Sequence, residues 1–317
     1  MWYDRFLETL SKKYSKKTQL AQALIELLNI EREAAYRRLR KDVIFPAHEI
    51  GKIAKEWNIS LDELVGVNSG KISFQMQATN YLNPSEDDLD NLRERVKRLD
   101  HLKHYSDSEY LLVCNNLPRT LASGFETLYK FNIFKWMYEY GNNDGIPMPY
   151  SKMFIPKEVQ DLIARYYKIM KTVGKTSIIL DQMLFDHVVH DIKYFQSIYL
   201  ITNEEIELIK KDLHKLLDYL LDVAIKGYYP ETENKVVIYI SKVNINTNYS
   251  YFYTEKLKIC RVHAFNKYDV YTFDVEMVKN FRTWMQLKKR TSIQISEVDE
   301  RSRVEFFTKQ RQLVDSL

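Results

Sequence analysis

Residues 18–65 constrain the fold of this chain more tightly than any other stretch. TQLAQALIELL, the pair NI, EREAAYRRLRK and FPAHEIGKIAKEWNISLDELVG follow one another there. Apolar residues recur at three- and four-residue intervals, which predicts a helix, a tight turn, a second helix over 31–40 and then two more helices. A short amphipathic helix over 2–13, with Phe6, Leu7 and Leu10 on one face, precedes them. The local signals agree with this division. Thr18 is placed to cap the second helix, and Asn29 sits at the turn, where it tolerates left-handed backbone. Pro46 opens a fourth helix that runs to Trp57, with Asn58 at its C-cap. Ser60 and Glu63 form a capping-box pattern at the last helix.

In the pair of helices around Asn29, Ile25, Leu28, Ile30 and Ala35 fall on the inner side. Arg32, Glu33, Tyr36, Arg37 and Arg40 fall on one outward face of the second helix, at spacings of one, three and four. On the residues NIEREAAYRRLRK and IAKEWNISLDELVG, the stretch resembles the lambda-repressor/Cro-like helix-turn-helix family of bacterial and phage transcriptional regulators. The resemblance covers about one fifth of the chain. It implies double-stranded DNA as partner, with Arg32, Glu33, Tyr36 and Arg37 at base edges in the major groove. Thr18 and Gln19 would lie near a phosphate, and Arg40, Lys41, Lys16 and Lys17 along the backbone. Two positions depart from the family pattern. Ile25 stands for a small alanine, which would set the helices farther apart, and Arg38 stands where an apolar residue is preferred, which leaves the rotation of the second helix open by one residue. The plainer reading of these arginines is a solvated helix face.

Composition adds limits rather than a function. A chain of 317 residues exceeds one small core. Its net charge of +4 does not by itself mark a nucleic-acid binder, and residues 1–70 carry only 12 Lys/Arg against 10 Asp/Glu. Two cysteines, Cys114 and Cys260, cannot build a disulfide framework or a tetrahedral zinc site, and they read as buried small hydrophobes. The N-terminus lacks an apolar signal core and no apolar run reaches about 18 residues, so a cytoplasmic chain without membrane contact is expected.

The expected fold class is mostly α with a C-terminal α+β part. Residues 1–66 would form a helix-turn-helix bundle of about five helices and 67–84 a linker rich in Gly, Asn and Ser. Residues 85–234 would form a helical domain, opened by a long connecting helix capped by Ser85 and followed by helices at 107–116, 119–140, 156–172, 177–200 and 203–226. Residues 235–317 would form an α+β domain. KVVIYISKV, YSYFYTE, LKICRV and KYDVYTFDV alternate as antiparallel strands, followed by a helix (276–288), a short strand (292–296) and a terminal helix (300–315). Leu89, Leu92, Val96 and Leu99 make a heptad-like stripe. It serves either to pair two copies or to pack on the chain's own downstream helices, and dimerisation through the body at 107–317 is a further alternative.

Other signals carry less. His187 and His190 lie three apart on a helix, but HExxH is absent and they read as ordinary helix residues. Val173-Gly174-Lys175-Thr176 lacks the first glycine of a phosphate loop, since position 169 is Ile, and reads as a helix break. The aromatics Tyr249, Tyr251, Phe252 and Tyr253 read as half core and half surface of a strand rather than as a stacking platform for bases. No catalysis, cofactor or metal site is expected. The function expected is a sequence-specific DNA-binding transcriptional regulator, a homodimer with a dimerisation or effector-sensing body. One recognition helix supplies too few base contacts to select an operator alone. The effector, a small molecule or a protein, would enter an apolar pocket in the helical middle. The alternatives are a scaffold protein whose N-terminal helices bind a protein, and an enzyme with its site in the C-terminal body.

Overall fold

The computed structural model of the protein describes residues 2–14, 16–57, 59–65, 72–77, 79–101, 105–140, 148–264 and 268–317. They divide into two compact units, Met1–Ser73 and Phe74–Leu317.

In the first unit, α1 (Trp2–Lys13), α2 (Lys17–Leu28), α3 (Arg32–Leu39), α4 (Ala47–Glu56) and α5 (Leu61–Val65) each turn an apolar stripe inward. Phe6, Leu7 and Leu10 of α1 meet Leu20 and Leu24 of α2, Ala35 of α3, Ile50 and Ile53 of α4 and Leu64 of α5. Phe45, from the segment before α4, closes this core edge-on against Phe6, with ring centres 5.9 Å apart. Ile25, Leu28 and Ile30 pack at its margin. Asn29 takes the left-handed conformation (φ 53°, ψ 51°) at the end of α2, as the turn requires. Thr18 is not the cap of α2. The helix begins one residue earlier, Lys16 is its N-cap without a side-chain hydrogen bond, and Thr18 stands exposed in the first turn. Asn58 and the side chain of Glu63 lie outside the described residues.

The second unit is of α+β class and holds one mixed sheet. In chain order it contains β1 (Gln75–Gln77), α6 (Glu86–Asp100), β2 (Glu109–Cys114), α7 (Arg119–Ala122), α8 (Glu126–Tyr140), α9 (Lys157–Met170), β3 (Lys175–Leu180), α10 (Leu184–Ser197) and α11 (Asn203–Lys226). Then come β4 (Lys235–Ser241), β5 (Tyr249–Tyr253), β6 (Lys258–Ala264), β7 (Tyr268–Thr272), α12 (Val275–Lys288), β8 (Ser292–Gln294) and α13 (Glu300–Asp315). The strand order is β1-β7-β6-β5-β2-β3-β4-β8. β2, β3 and β4 run parallel, with Leu111 paired to Ser177 and Ser177 to Val237, while the flanking strands are antiparallel.

This corrects the expected helical middle. Residues 109–114 are a strand, not part of a helix, and the helix expected over 177–200 divides into the end of β3 and α10. The reason is physical. A parallel strand covered on both faces is apolar at nearly every position, so EYLLVC and KTSIIL lose the period of two that marks a half-buried strand. Tyr110, Leu112 and Cys114 enter the core under the helical layer, whereas Leu111 and Val113 pack with Val278, Phe281 and Met285 of α12 on the other face. The boundary expected between 234 and 235 therefore falls inside one core, where β3 pairs with β4. The segment expected to be a linker contributes as well. β1 pairs with β7 (Met76 opposite Val270), and Thr79 and Tyr81 are buried.

α6 carries a capping box in which the Ser85 hydroxyl accepts from the Asp88 amide and the Asp88 side chain from the Ser85 amide. Its stripe serves the chain's own core. Leu92, Val96 and Leu99 are buried there and Leu89 packs against it, so these four side chains are not a free pairing seam. Gly174 is not a helix break but the approach to β3. A Cβ there would lie 2.5 Å from the Ser106 carbonyl oxygen, and the Gly174 amide donates to the Ser108 hydroxyl (2.9 Å). Cys114 and Cys260 are fully buried, on opposite faces of the sheet, and burial pushes the Cys260 thiol up to about 11. Tyr251 and Phe252 are buried on opposite faces of β5, and Tyr249 meets Trp284 edge-on at 5.2 Å. His187 and His190 are exposed on α10, where Val188 and Val189 turn inward. Among the described residues, no helix is long and apolar enough to cross a membrane.

Candidate functional site

The outward face of α3 is assembled as its spacing predicts. Arg32, Glu33, Arg37 and Arg40 are exposed, Tyr36 is half-buried and Ala35 turns fully into the core. Arg38, whose position left the helix rotation open, faces inward. Its Nε and Nη2 donate to the two carboxylate oxygens of Glu49 on α4, at 2.6 and 2.7 Å, and its guanidinium lies 5.8 Å from the Phe45 ring centre. An arginine thus occupies an inner position because a carboxylate on the facing helix neutralises it. The departure of residue 38 from an apolar pattern was the one signal in the sequence for this pair. Nothing there marked Glu49 as its partner.

The exposed face divides by how its cations are engaged. Arg40 donates to Glu33 (2.8 Å) and Asp42 (2.9 Å), and Lys41 pairs with Asp4 of α1. These are solvent-exposed pairs, which exchange readily for other anions. Arg32 lies over the Tyr36 ring at 5.8 Å, which orders both side chains on one face. Arg37 is exposed and has no ion pair or side-chain hydrogen bond among the described residues, and the same holds for Lys16 and Lys17. The end of α3 is closed by backbone hydrogen bonds. The Asp42 amide donates to the Arg37 carbonyl and the Lys41 amide to the Arg38 carbonyl, with Lys41 in the left-handed region (φ 68°).

Thr18 and Gln19 are exposed in the first turn of α2, where the Gln19 amide donates to the Lys16 carbonyl (3.0 Å). The structure therefore keeps Thr18, Gln19, Arg32, Glu33, Arg37, Arg40 and Lys41 on the surface of the first unit. It holds Arg38 back as an internal residue.

A second constellation lies in the second unit, and no sequence motif marks it. Arg95 of α6, Arg119 of α7, Arg261 and His263 of β6 and Asp269 of β7 line one cavity, brought together from positions far apart in the chain. In comparison with known proteins, no family model, curated protein or solved structure matches the chain.

Proposed function

We propose that the chain is a sequence-specific DNA-binding regulator that reads duplex DNA with a helix-turn-helix formed by α2 and α3 and acts as a homodimer. The observation that carries this reading is the α3 face: four charged side chains stand outward, Arg37 is unengaged, and the inward residues Ala35 and Arg38 fix the helix rotation. In this reading Arg37 and Arg32 reach base edges, where a guanidinium matches guanine O6 and N7. Glu33 and Tyr36 flank them. Arg40 and Lys41 exchange their exposed carboxylate partners for phosphates, and Thr18 and Gln19 hold a phosphate at the start of α2.

Two copies are needed on energetic grounds. Two bidentate contacts, roughly 2–6 kcal/mol together, reach only the low end of the roughly 4–10 kcal/mol that separates specific from non-specific sites, and a second copy doubles them. The test is selection of genomic DNA fragments by the purified protein beside Arg37→Ala, at fixed near-physiological salt. Enrichment of a two-fold-symmetric motif by the unmodified protein alone supports the reading. Failure of both to enrich any motif overturns it in favour of a protein partner for the N-terminal helices.

A further inference from the structure

The second unit holds a cavity of about 170 Å³ against the sheet, beside the carboxyl end of β2. Roughly 10–15 Å³ admits one water, so this space accommodates a small organic molecule. The carboxyl ends of parallel strands are where open α/β sheets leave room for ligands. Here the turn after β2 is tied to the segment before β5. The Asn248 side chain accepts from the amides of Asn115 (3.0 Å) and Asn116 (3.2 Å), and both Asn116 and Asn248 line the cavity.

The walls have two characters. Leu92, Val96, Leu112, Ile133, Trp136 and Leu162 supply apolar lining. The remaining lining includes cations. Arg95, Arg119 and Arg261 line the cavity, Lys135 lines it too but is paired with Asp191, and among the described lining residues only Asp269 is acidic. That carboxylate is shared rather than tightly paired: Arg95 lies 3.5 Å from it, Arg119 3.9 Å and His263 3.4 Å. Burial acts to raise the Asp269 carboxyl, yet the surrounding charges, Arg119 foremost, hold it well below the usual carboxylate range. Arg261 lies 5.7 Å from the Phe252 ring centre and has no carboxylate within 4.0 Å among the described residues. Arg261, half-buried and without a carboxylate partner among the described residues, leaves positive charge at the cavity that an entering anion would offset.

We propose that this cavity binds a small organic oxyanion, with Arg261 and Arg95 holding the charged head and the apolar wall receiving the body. A guanidinium fork recognises carboxylate or phosphate by paired hydrogen bonds, and the apolar wall excludes the bare ion as the best ligand. The site lies entirely within the second unit and is tested without DNA, so it stands or falls apart from the DNA-binding reading.

The experiment is isothermal titration calorimetry on the full chain with phenyl phosphate, benzoate, phenol and inorganic phosphate. Arg261→Gln, Arg261→Lys and Arg95→Gln are run in parallel, with circular dichroism to verify folding. The expected result is one-to-one binding of phenyl phosphate or benzoate, at least tenfold tighter than phenol and than inorganic phosphate. The stronger of the two distinguishes a phosphate from a carboxylate head. Arg261→Gln weakens it at least tenfold and Arg261→Lys less. Should Arg261→Gln fail to fold, Arg95→Gln reads the same loss. Equal binding of phenol and the aromatic anions overturns the proposal, as does undiminished binding by the folded glutamine variants. Absence of heat at about 10 mM ligand overturns it too, because a single charged contact in a preformed site supports millimolar affinity.

Discussion

Arg38 and Glu49 meet in a two-pronged ion pair that joins α3 to α4, with side-chain exposures of only 14% and 8%. The pair holds α3 from its inward side. A group that resembles its neighbours Arg37 and Arg40 in sequence therefore has an unrelated role.

Truncating one member leaves the other charge buried. Arg38→Ala is expected to destabilise the first unit by about 3 kcal/mol, whereas replacing both by apolar residues of similar volume, Arg38→Met with Glu49→Leu, costs little or nothing. Differential scanning calorimetry of the full chain checks this. A single variant as stable as the double one would show that the pair is slack.

Arg37→Ala behaves in the opposite way. With no side-chain partner to lose among the described residues, it leaves the unfolding midpoint nearly unchanged, and under the proposed DNA reading it lowers specific affinity roughly 5- to 150-fold, the range of one good base contact. If the dimer neutralises about six phosphates, the log–log salt slope of the unmodified protein lies near −5. Fluorescence anisotropy over a salt series reads both. A slope near zero with weak binding counts against the DNA reading.

Acid sensitivity in the second unit traces to Glu109. It accepts from Tyr251 (2.7 Å), from Arg282 (2.9 and 2.6 Å) and from Gln286 (2.6 Å). Burial alone would raise its carboxyl, but the hydrogen bonds from Tyr251 and Arg282 lower it below the ordinary value of 4.5. A carboxyl lowered by folding stabilises fully above its unfolded value, and that contribution is lost as pH falls through the folded one. Urea denaturation between about pH 6 and 2.5 should thus show a steeper acid decline for the unmodified protein than for Glu109→Gln. Parallel curves would remove Glu109 as the cause.

Gly174→Ala tests the approach of β3 to the 106–108 segment. The added methyl meets a backbone carbonyl at 2.5 Å, which no rotamer change relieves, so a loss of about 1–3 kcal/mol is expected. Chemical denaturation gives the value, and a change inside about 0.5 kcal/mol would place it with ordinary surface substitutions.

The sequence by itself determined the five N-terminal helices, the left-handed turn at Asn29, the outward arginines of α3 and the strands from 235 onward. Each rests on local physics: a 3.6-residue or two-residue apolar period, a residue suited to a left-handed turn, a proline at a helix start. Only the tertiary structure decided the rest. β2 and β3 are buried on both faces, so their apolar runs carry no period, and parallel pairing across intervening helices leaves no local mark. The stripe of α6 could serve a second copy or its own sheet equally well until the sheet was placed. Arg38 left the surface because Glu49 faces it, and Arg95, Arg119, Arg261 and Asp269 became one constellation because sheet order and α6 brought them to one cavity. These are juxtapositions of residues distant in the chain, and pattern along a chain records neighbours only within a few turns.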